Sequence, residues 1–431
     1  MSMPPELSRR RIKARPVARP ASGALIAGGE GGEIVPAKAT PTSSARPCHP
    51  TVAGVLVPAS PEVPLGAPPT PPRERFYTLK KSEIVLNRYN VRHGLGYGSF
   101  GTVVKAEDNI TQTAVAIKFL HNLGSSGGDT SRKNEADMYY KVLAGCDPHI
   151  DLFAAVLATS VHRGFHCIVF ELCQCTLQDV LQTYSGLLPL PARHLREMAY
   201  QLVKAVQYLH SLGIVHTDLK PDNIGLRCQD NVMVRWLDTR LGFREKKILI
   251  STQICIIDLG NAVEIKGSIP KSGRVGALPY RAPEVILGLS WSFGVDAFAI
   301  GCVLAELYLM EHLFDGAIEN DHEHLATVDR LLGPFPEAYA RRIDMKYPGT
   351  FVFGDRTRVR YPPVDVSPSI ELHLDPMRRL EATKALPALV HDAVLHDLMR
   401  KLMALDPMQR IPLADAARHC YFDALNKLQL Q

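Results

Sequence analysis

Ile214-Val215-His216-Thr217-Asp218-Leu219-Lys220-Pro221-Asp222-Asn223 is the stretch on which the reading of this chain turns. An apolar pair leads into a polar loop that carries a carboxylate, an ammonium and an amide at positions 218, 220 and 223. Moving a phosphoryl group onto a hydroxyl asks for such parts: a carboxylate near the nucleophile, a cation near the moving phosphate, and oxygen ligands for magnesium. Asp218 can orient the hydroxyl or take its proton, Lys220 can neutralise charge on the γ-phosphate, and Asn223 offers an amide oxygen to a metal. Downstream, Cys255-Ile256-Ile257-Asp258-Leu259-Gly260 reads as a short apolar strand ending in an aspartate at a glycine turn, a suitable place for the main magnesium carboxylate.

Upstream lies Gly96-Tyr97-Gly98-Ser99-Phe100-Gly101-Thr102-Val103. Glycines at this spacing let backbone amides approach a polyphosphate closely, because no side chain intervenes. Alone the pattern is weak, since a Gly-rich hairpin can look the same. A dinucleotide site would want a helix at the third glycine and an acidic residue about 20 positions on. Here Thr102-Val103-Val104-Lys105 continues as strand, and Lys118 stands where the acid would be. In Val115-Ala116-Ile117-Lys118, strand alternation puts Val115 and Ile117 on one face and Ala116 and Lys118 on the other. If the hairpin closes over ATP, Ala116 leaves room for adenine and Lys118 aims at the phosphates. A lone strand lysine usually faces solvent, so it needs a partner. In the helical stretch Ser131 to Leu143, Glu135 is the only Glu, with Met138, Tyr139 and Val142 as an inward face.

The order of these motifs, closed by Ala282-Pro283-Glu284, resembles the eukaryotic protein kinases over residues 90 to 423. Arg281 before Ala282-Pro283-Glu284 is similar to the CMGC group. His216-Thr217-Asp218-Leu219-Lys220-Pro221, Glu284 to Ser292 and Glu323-His324-Leu325-Ala326 resemble the LAMMER or Cdc2-like dual-specificity kinases and the neighbouring SR-protein kinases. The 35-residue step from Asn223 to Asp258 fits both families. The resemblance implies an α+β, two-lobed fold with a small antiparallel β-rich N-lobe and a larger, mostly helical C-lobe. It implies ATP and Mg2+ as cofactors. Leu95, Gly96, Gly98, Gly101, Val103, Ala116, Lys118, Glu135, Glu171 and Cys173 would surround the nucleotide, and Asn223 and Asp258 would hold the metal. Phe170 would be the gatekeeper, Asp296 would anchor the catalytic loop, and Glu284 would pair with Arg410. The implied partners are protein substrates, with Arg/Ser-rich splicing factors suggested.

Departures matter as much. EHLAMMERILG of the family reads EHLATVDRLLG here, with Thr327, Val328 and Asp329 as the replacements. Leu259 stands for the Phe of DFG, as in SR-protein kinases. Ala277 replaces a Thr whose hydroxyl in related kinases bonds the catalytic Asp and Lys, so lower turnover or altered peptide acceptance is expected, and Ala277→Thr should raise the peptide phosphorylation rate. Thr217 replaces an Arg that pairs with a phosphate on the activation loop, so activity without an upstream kinase is expected. Ser268, Ser272 and Tyr280 are the hydroxyls open to autophosphorylation. Asp321, Glu323 and Asp329 are the acidic residues that could form a docking groove, though charge runs of that size usually face solvent.

Of 431 residues, 46% are hydrophobic and 22% charged, which demands a large packed core. Residues 1–75 hold 10 Lys+Arg, 5 Asp+Glu, 15 prolines and no aromatic residue, reading as a disordered tail; beyond it the charges balance. Its cluster Arg9, Arg10, Arg11, Lys13, Arg15 and Arg19 reads as a solvated tail, a nuclear-import patch or a transit peptide; Pro16 and Pro20 spoil the amphipathic helix the last would need. The balanced body gives no electrostatic case for direct nucleic-acid binding. His194 to Ser211 carries one apolar helical face, and Phe298 to Met310, interrupted by Glu306, reads as a buried helix and not a membrane span. Nine scattered cysteines without a CxxC pair argue for reduced thiols and against disulfides or structural zinc. The divisions expected are tail 1–75, N-lobe and hinge 76–175, C-lobe 176–423 with an insert around 313–390, and a tail 424–431, in a monomer of the nucleus, the cytoplasm or both. Three functions are open at this point. They are an active protein kinase, a pseudokinase scaffold that binds ATP or partners without efficient turnover, and a small-molecule kinase, the last disfavoured by the long segment from Ala282 to Asp296 and the insert.

Overall fold

The computed structural model describes residues 76–428 except 81, 99–100, 122–127, 146, 239–241, 268, 315–317, 319 and 364–369. The expected N-terminal tail, Ser99, Phe100 and Ser268 lie outside the described residues.

The first part is one antiparallel sheet of six strands: β1 (Ile84–Val85), β2 (Tyr89–Tyr97), β3 (Gly101–Asp108), β4 (Ala114–Leu120), β5 (Val156–His162) and β6 (Phe165–Glu171), in the order β1-β2-β3-β4-β6-β5. Its central strands β4 and β6 carry Val115, Ile117, Phe119, Phe165, Ile168, Val169 and Phe170, β-branched and aromatic residues that suit a pleated surface buried on both faces. Val115, Ile117 and Phe119 join an outer core with Val104, Phe165 and Val169, capped by Tyr77 stacked 3.7 Å from the Phe119 ring. The opposite face, with Leu120, Ile168 and Phe170, runs into the main core together with Met138, Tyr139 and Val142 of helix α1 (Gly128–Leu143). A strand-borne lysine therefore faces the interface of sheet and helix and not the solvent.

The larger part is helical, as expected. Helix α2 (Ala192–Ser211) buries the apolar face that its periodicity marks: Leu195, Met198, Ala199, Leu202, Ala205, Val206 and Leu209. Helix α3 (Gly294–Leu309) is buried from Val295 through Leu307, Glu306 included, so the interrupted apolar run is a core helix. Among the described residues no helix is long and apolar enough to cross a membrane. The long step between Asn223 and Asp258 is filled by an antiparallel hairpin, Asn231–Asp238 paired with Gly242–Leu249. The strands on either side of it, Ile224–Leu226 and Ile254–Ile256, pair antiparallel with each other, and Ile224–Leu226 pairs on its other edge with Cys175–Thr176, so the hairpin leaves the two motifs side by side. Residues 424–428, expected as tail, continue as a short helix Asp423–Leu428 because Leu425 packs against the core.

Candidate active site

Sheet register assembles the upper wall. Gly96 pairs with Val103, Val103 with Lys118, and Lys118 with Ile168; Ala116 lies beside Phe170. The glycine loop, the lysine and the strand leading to Glu171 are thus laid side by side before any side chain acts. The Gly98 amide donates to the Gly101 carbonyl at 3.0 Å, closing the hairpin, and Leu95 is exposed at its rim. At Gly101 a Cβ would come within 2.5 Å of the Phe119 carbonyl oxygen, so glycine is needed for the strands to approach.

Lys118 Nζ donates to Glu135 Oε1 at 2.8 Å and to Asp258 Oδ1 at 2.8 Å, which joins positions 140 residues apart. Burial works against the lysine charge, but the two carboxylates together outweigh it and hold its pKa above the ordinary lysine value. Burial likewise pushes Asp258 up, and Lys118 overrides it, so Asp258 stays ionised below the usual carboxylate range. Asp258 takes a positive φ of 66°, and its carboxylate accepts from the Gly260 amide at 3.0 Å. A Cβ at 260 would sit 2.9 Å from Asp258 Oδ1 and 3.1 Å from Glu135 Oε2. Only glycine leaves room for that cluster.

The lower wall is the polar loop. Asp218 Oδ2 accepts from Lys220 Nζ at 3.0 Å and from Asn223 Nδ2 at 3.3 Å, while Asn223 also reaches the Asp218 carbonyl at 2.8 Å. The Ile257 amide donates to the Asn223 carbonyl at 3.0 Å, which places Asn223 alongside the residue preceding Asp258. Asp296, at the start of α3, accepts from the backbone amides of His216 and Thr217, both at 2.8 Å, and contacts His210 at 3.0 Å. It anchors the loop as expected. Burial keeps His216 neutral by lowering its pKa, against the pull of Asp296 and Asp218.

Glu284 and Arg410 form the expected pair, with two hydrogen bonds of 2.6 and 2.9 Å and side chains each 1% exposed. Phe170 is buried against Tyr139 with ring centroids 4.9 Å apart. Glu171 pairs with Arg227, and Cys173 lies in the segment that follows.

Three expectations need correction. Cys173 and Cys255 are bonded as a disulfide across 82 residues, although the other five described cysteines are free. Gly225 is the physical reason: a Cβ there would lie 2.7 Å from both Cβ and Sγ of Cys173 and 3.2 Å from Sγ of Cys255. Asp321, Glu323 and Asp329, only candidates for an acidic docking groove, are each paired within the chain. Asp321 pairs with Arg281 and Arg274, Glu323 with Arg379, and Asp329 with Arg358, the last two carboxylates only 2% exposed. Finally, Tyr280 is buried and donates to Glu306 Oε2 at 2.7 Å, so its hydroxyl is not displayed for modification.

Two placements were missed in the sequence. Asn261 reaches Asp218 Oδ2 at 3.3 Å, and the Ala277 amide reaches Asp218 Oδ1 at 3.2 Å. Neither leaves a signal in residue identity: an asparagine after a glycine turn usually serves the turn, and the second is a backbone group.

Comparison with known proteins bears on this geometry. Residues 89–422 match the protein kinase domain family. The chain is 32% identical over 359 residues to the dual specificity protein kinase lkh1 of Schizosaccharomyces pombe, covering 80% of this chain and 48% of that one. It is 32% identical over 360 residues to the human dual specificity protein kinase CLK4, covering 82% and 70%. It is also 32% identical over 356 residues to the serine/threonine-protein kinase Doa of Drosophila melanogaster, covering 80% and 40%. It thus spans about half the length of the fission-yeast relative. A crystallised kinase domain superposes with a TM-score of 0.68 at 24% identity, covering 81% of this chain and 99% of the other, and so agrees with the two-lobed α+β fold. With the ordered motifs, the lysine joined to both carboxylates and the match over most of its length, the chain belongs to the protein kinases, on their CMGC branch of Cdc2-like, LAMMER-type enzymes.

Proposed function

We propose that the protein transfers the γ-phosphate of ATP to Ser and Thr hydroxyls, and to Tyr as in the dual-specificity relatives, on protein substrates. The single observation that carries this is the Lys118 bridge to Glu135 and Asp258, which gathers both lobes around one point. ATP with Mg2+ fits the residues present. Among the described residues no cluster of three or more His, Cys, Asp or Glu forms a closed metal cage. Magnesium is usually held by one or two protein oxygens plus phosphates, which Asp258 and Asn223 can provide. When bound, Mg·ATP supplies the electrophilic phosphorus and a leaving group whose charge the metal shares.

The chain's own residues then do the rest. Gly96, Gly98 and Gly101 keep side chains away from the phosphates, and Lys118 offers its ammonium to them. Leu95, Val103 and Ala116 line the adenine side, with backbone groups of Glu171 and Cys173 at its edge. Asp218 orients the substrate hydroxyl and receives its proton as the oxygen attacks. Lys220 stands 3.0 Å from that carboxylate, placed to neutralise charge as the phosphoryl group moves. The catalytic loop is fixed by Asp296 before substrate arrives, so positioning costs little at the reacting moment. Arg/Ser-rich proteins are the substrates we propose, on the likeness to the Cdc2-like relatives; the protein acts as a monomer in the nucleus, the cytoplasm or both.

The test compares wild type with Asp218→Asn in a γ-phosphate transfer assay with Mg2+, offering myelin basic protein and an Arg-Ser repeat peptide. Loss of at least about 100-fold in the variant is expected, since a general base contributes about 10²–10⁴. Equal transfer by both proteins would refute the reading in favour of a scaffold.

A further inference from the structure

Two departures from the common kinase pattern, at 217 and 277, converge with Asn261 on one carboxylate. Thr217 occupies the place of the usual arginine, and Ala277 the place of a threonine whose hydroxyl would bond Asp218. Thr217 Oγ1 donates to the Asn261 carbonyl at 2.9 Å. The Asn261 side chain donates to Asp218 Oδ2 at 3.3 Å, and the Ala277 amide to Asp218 Oδ1 at 3.2 Å. Both oxygens of the catalytic carboxylate are therefore held from the side of the activation segment without any side chain at 277.

We propose that Asn261 is a positioning residue for Asp218, fixed in place by the Thr217 hydroxyl, and that it replaces the missing hydroxyl at 277. The inference rests on the phosphotransfer reading above. Each part is itself constrained. Thr217 is a β-branched residue at φ 68°, a conformation that costs energy unless its surroundings enforce it, and the Asp296 carboxylate on its amide at 2.8 Å does so. Buried Thr217 thereby aims its hydroxyl at Asn261 and not at solvent. Gly276, at φ 76°, would bring a Cβ to 3.0 Å from the Thr217 carbonyl oxygen. Glycine there lets the segment run against the loop and delivers the Ala277 amide. Lys220 and Asn223 hold Asp218 from within its own loop. Among the described residues Asn261 is the side-chain donor from outside it, 43 residues away in sequence. A carboxylate held from one side only can swing about its Cα–Cβ and Cβ–Cγ bonds. The outside donor narrows that swing, which raises the fraction of bound complexes in which the substrate hydroxyl is aligned.

The experiment is a double-mutant cycle on the full chain, with kcat and the KM for ATP measured on myelin basic protein. Asn261→Ala is expected to lower kcat roughly 10-fold, the low end for a long hydrogen bond to a charged acceptor, with the KM for ATP unchanged. Ala277→Thr should raise wild-type kcat only slightly, yet restore most of the loss in the Asn261→Ala background. Thr217→Val, which keeps the shape and removes the hydroxyl, should behave as a weaker copy of Asn261→Ala and be rescued the same way. Selective rescue is what a merely structural asparagine would not show. An unchanged kcat in Asn261→Ala, or the same Ala277→Thr factor in both backgrounds, would overturn the inference. Asp218→Asn run alongside separates the two failures: if it equals wild type, the phosphotransfer reading itself falls.

Discussion

Arg410 and Glu284 show what a single buried charge commits a chain to. The guanidinium makes both of its carboxylate bonds and also reaches the Gly294 and Ala404 carbonyls at 2.8 and 3.1 Å. Removing one partner would strand the other without water. Arg410→Met should therefore lower unfolding stability by about 3–5 kcal/mol, read from urea denaturation, and Glu284→Gln by less because an amide can still accept. A loss under about 1 kcal/mol for Arg410→Met would mean that the region collapses around the gap. This pair was legible in the sequence because its two motifs have fixed places in the family pattern. Asn261 was not, since an asparagine after a glycine turn usually serves the turn. Its partner is chosen by the fold, across 43 residues.

Helix α4 (Asp321–Leu332) carries the altered EHLA motif, and two of its carboxylates, Glu323 and Asp329, are buried. Glu323 meets Arg379 of the helix Ile370–Ala382 at 2.7 Å, and Asp329 meets Arg358 at 3.3 Å. Arg358 and Arg379 lie 29 and 56 residues further along the chain, so nothing in the local sequence marked these carboxylates as buried. His324, wholly buried with its ring edge-on to Phe314 at 4.5 Å, has its pKa lowered to about 4 by burial, with Arg281 adding to the effect. The unfolded chain takes up that proton near pH 6.5, the folded chain only near 4. Stability from this residue is therefore complete above pH 6.5 and drains as pH falls toward 4, by up to about 3 kcal/mol. Asp329 has the opposite sign. Burial, partly offset by Arg358, pushes its carboxyl up to about 6, so it disfavours the fold as pH rises through that range. His324→Leu should flatten the acid limb of the stability curve between pH 6.5 and 4. A limb as steep as in the wild type would assign the acid sensitivity to other groups.

At the scale of the molecule, the two-lobed fold was legible because phosphate chemistry demands particular residue types at short, local spacings. Gly96 to Val103, Lys118, Asp218 to Asn223 and Asp258 each declare themselves within ten residues. Glu135 followed because it is the only glutamate on its helix. What sequence could not supply was long-range packing: the glycine at 225 that lets two cysteines meet, or the tyrosine at 280 that turns inward to Glu306. The N-terminal sheet and the helical part also divide the labour. The sheet sets register for the nucleotide side, and the helices hold the loop that does the chemistry.

Asp296 ties that loop, through two backbone amides, to a helix buried from Val295 through Leu307. A loop bolted to the core gives no early warning as temperature climbs. Catalysis should persist until α3 itself lets go, so inactivation and loss of helical circular dichroism should trace a single curve. Inactivation running several degrees ahead of melting would show that the bolt slips first.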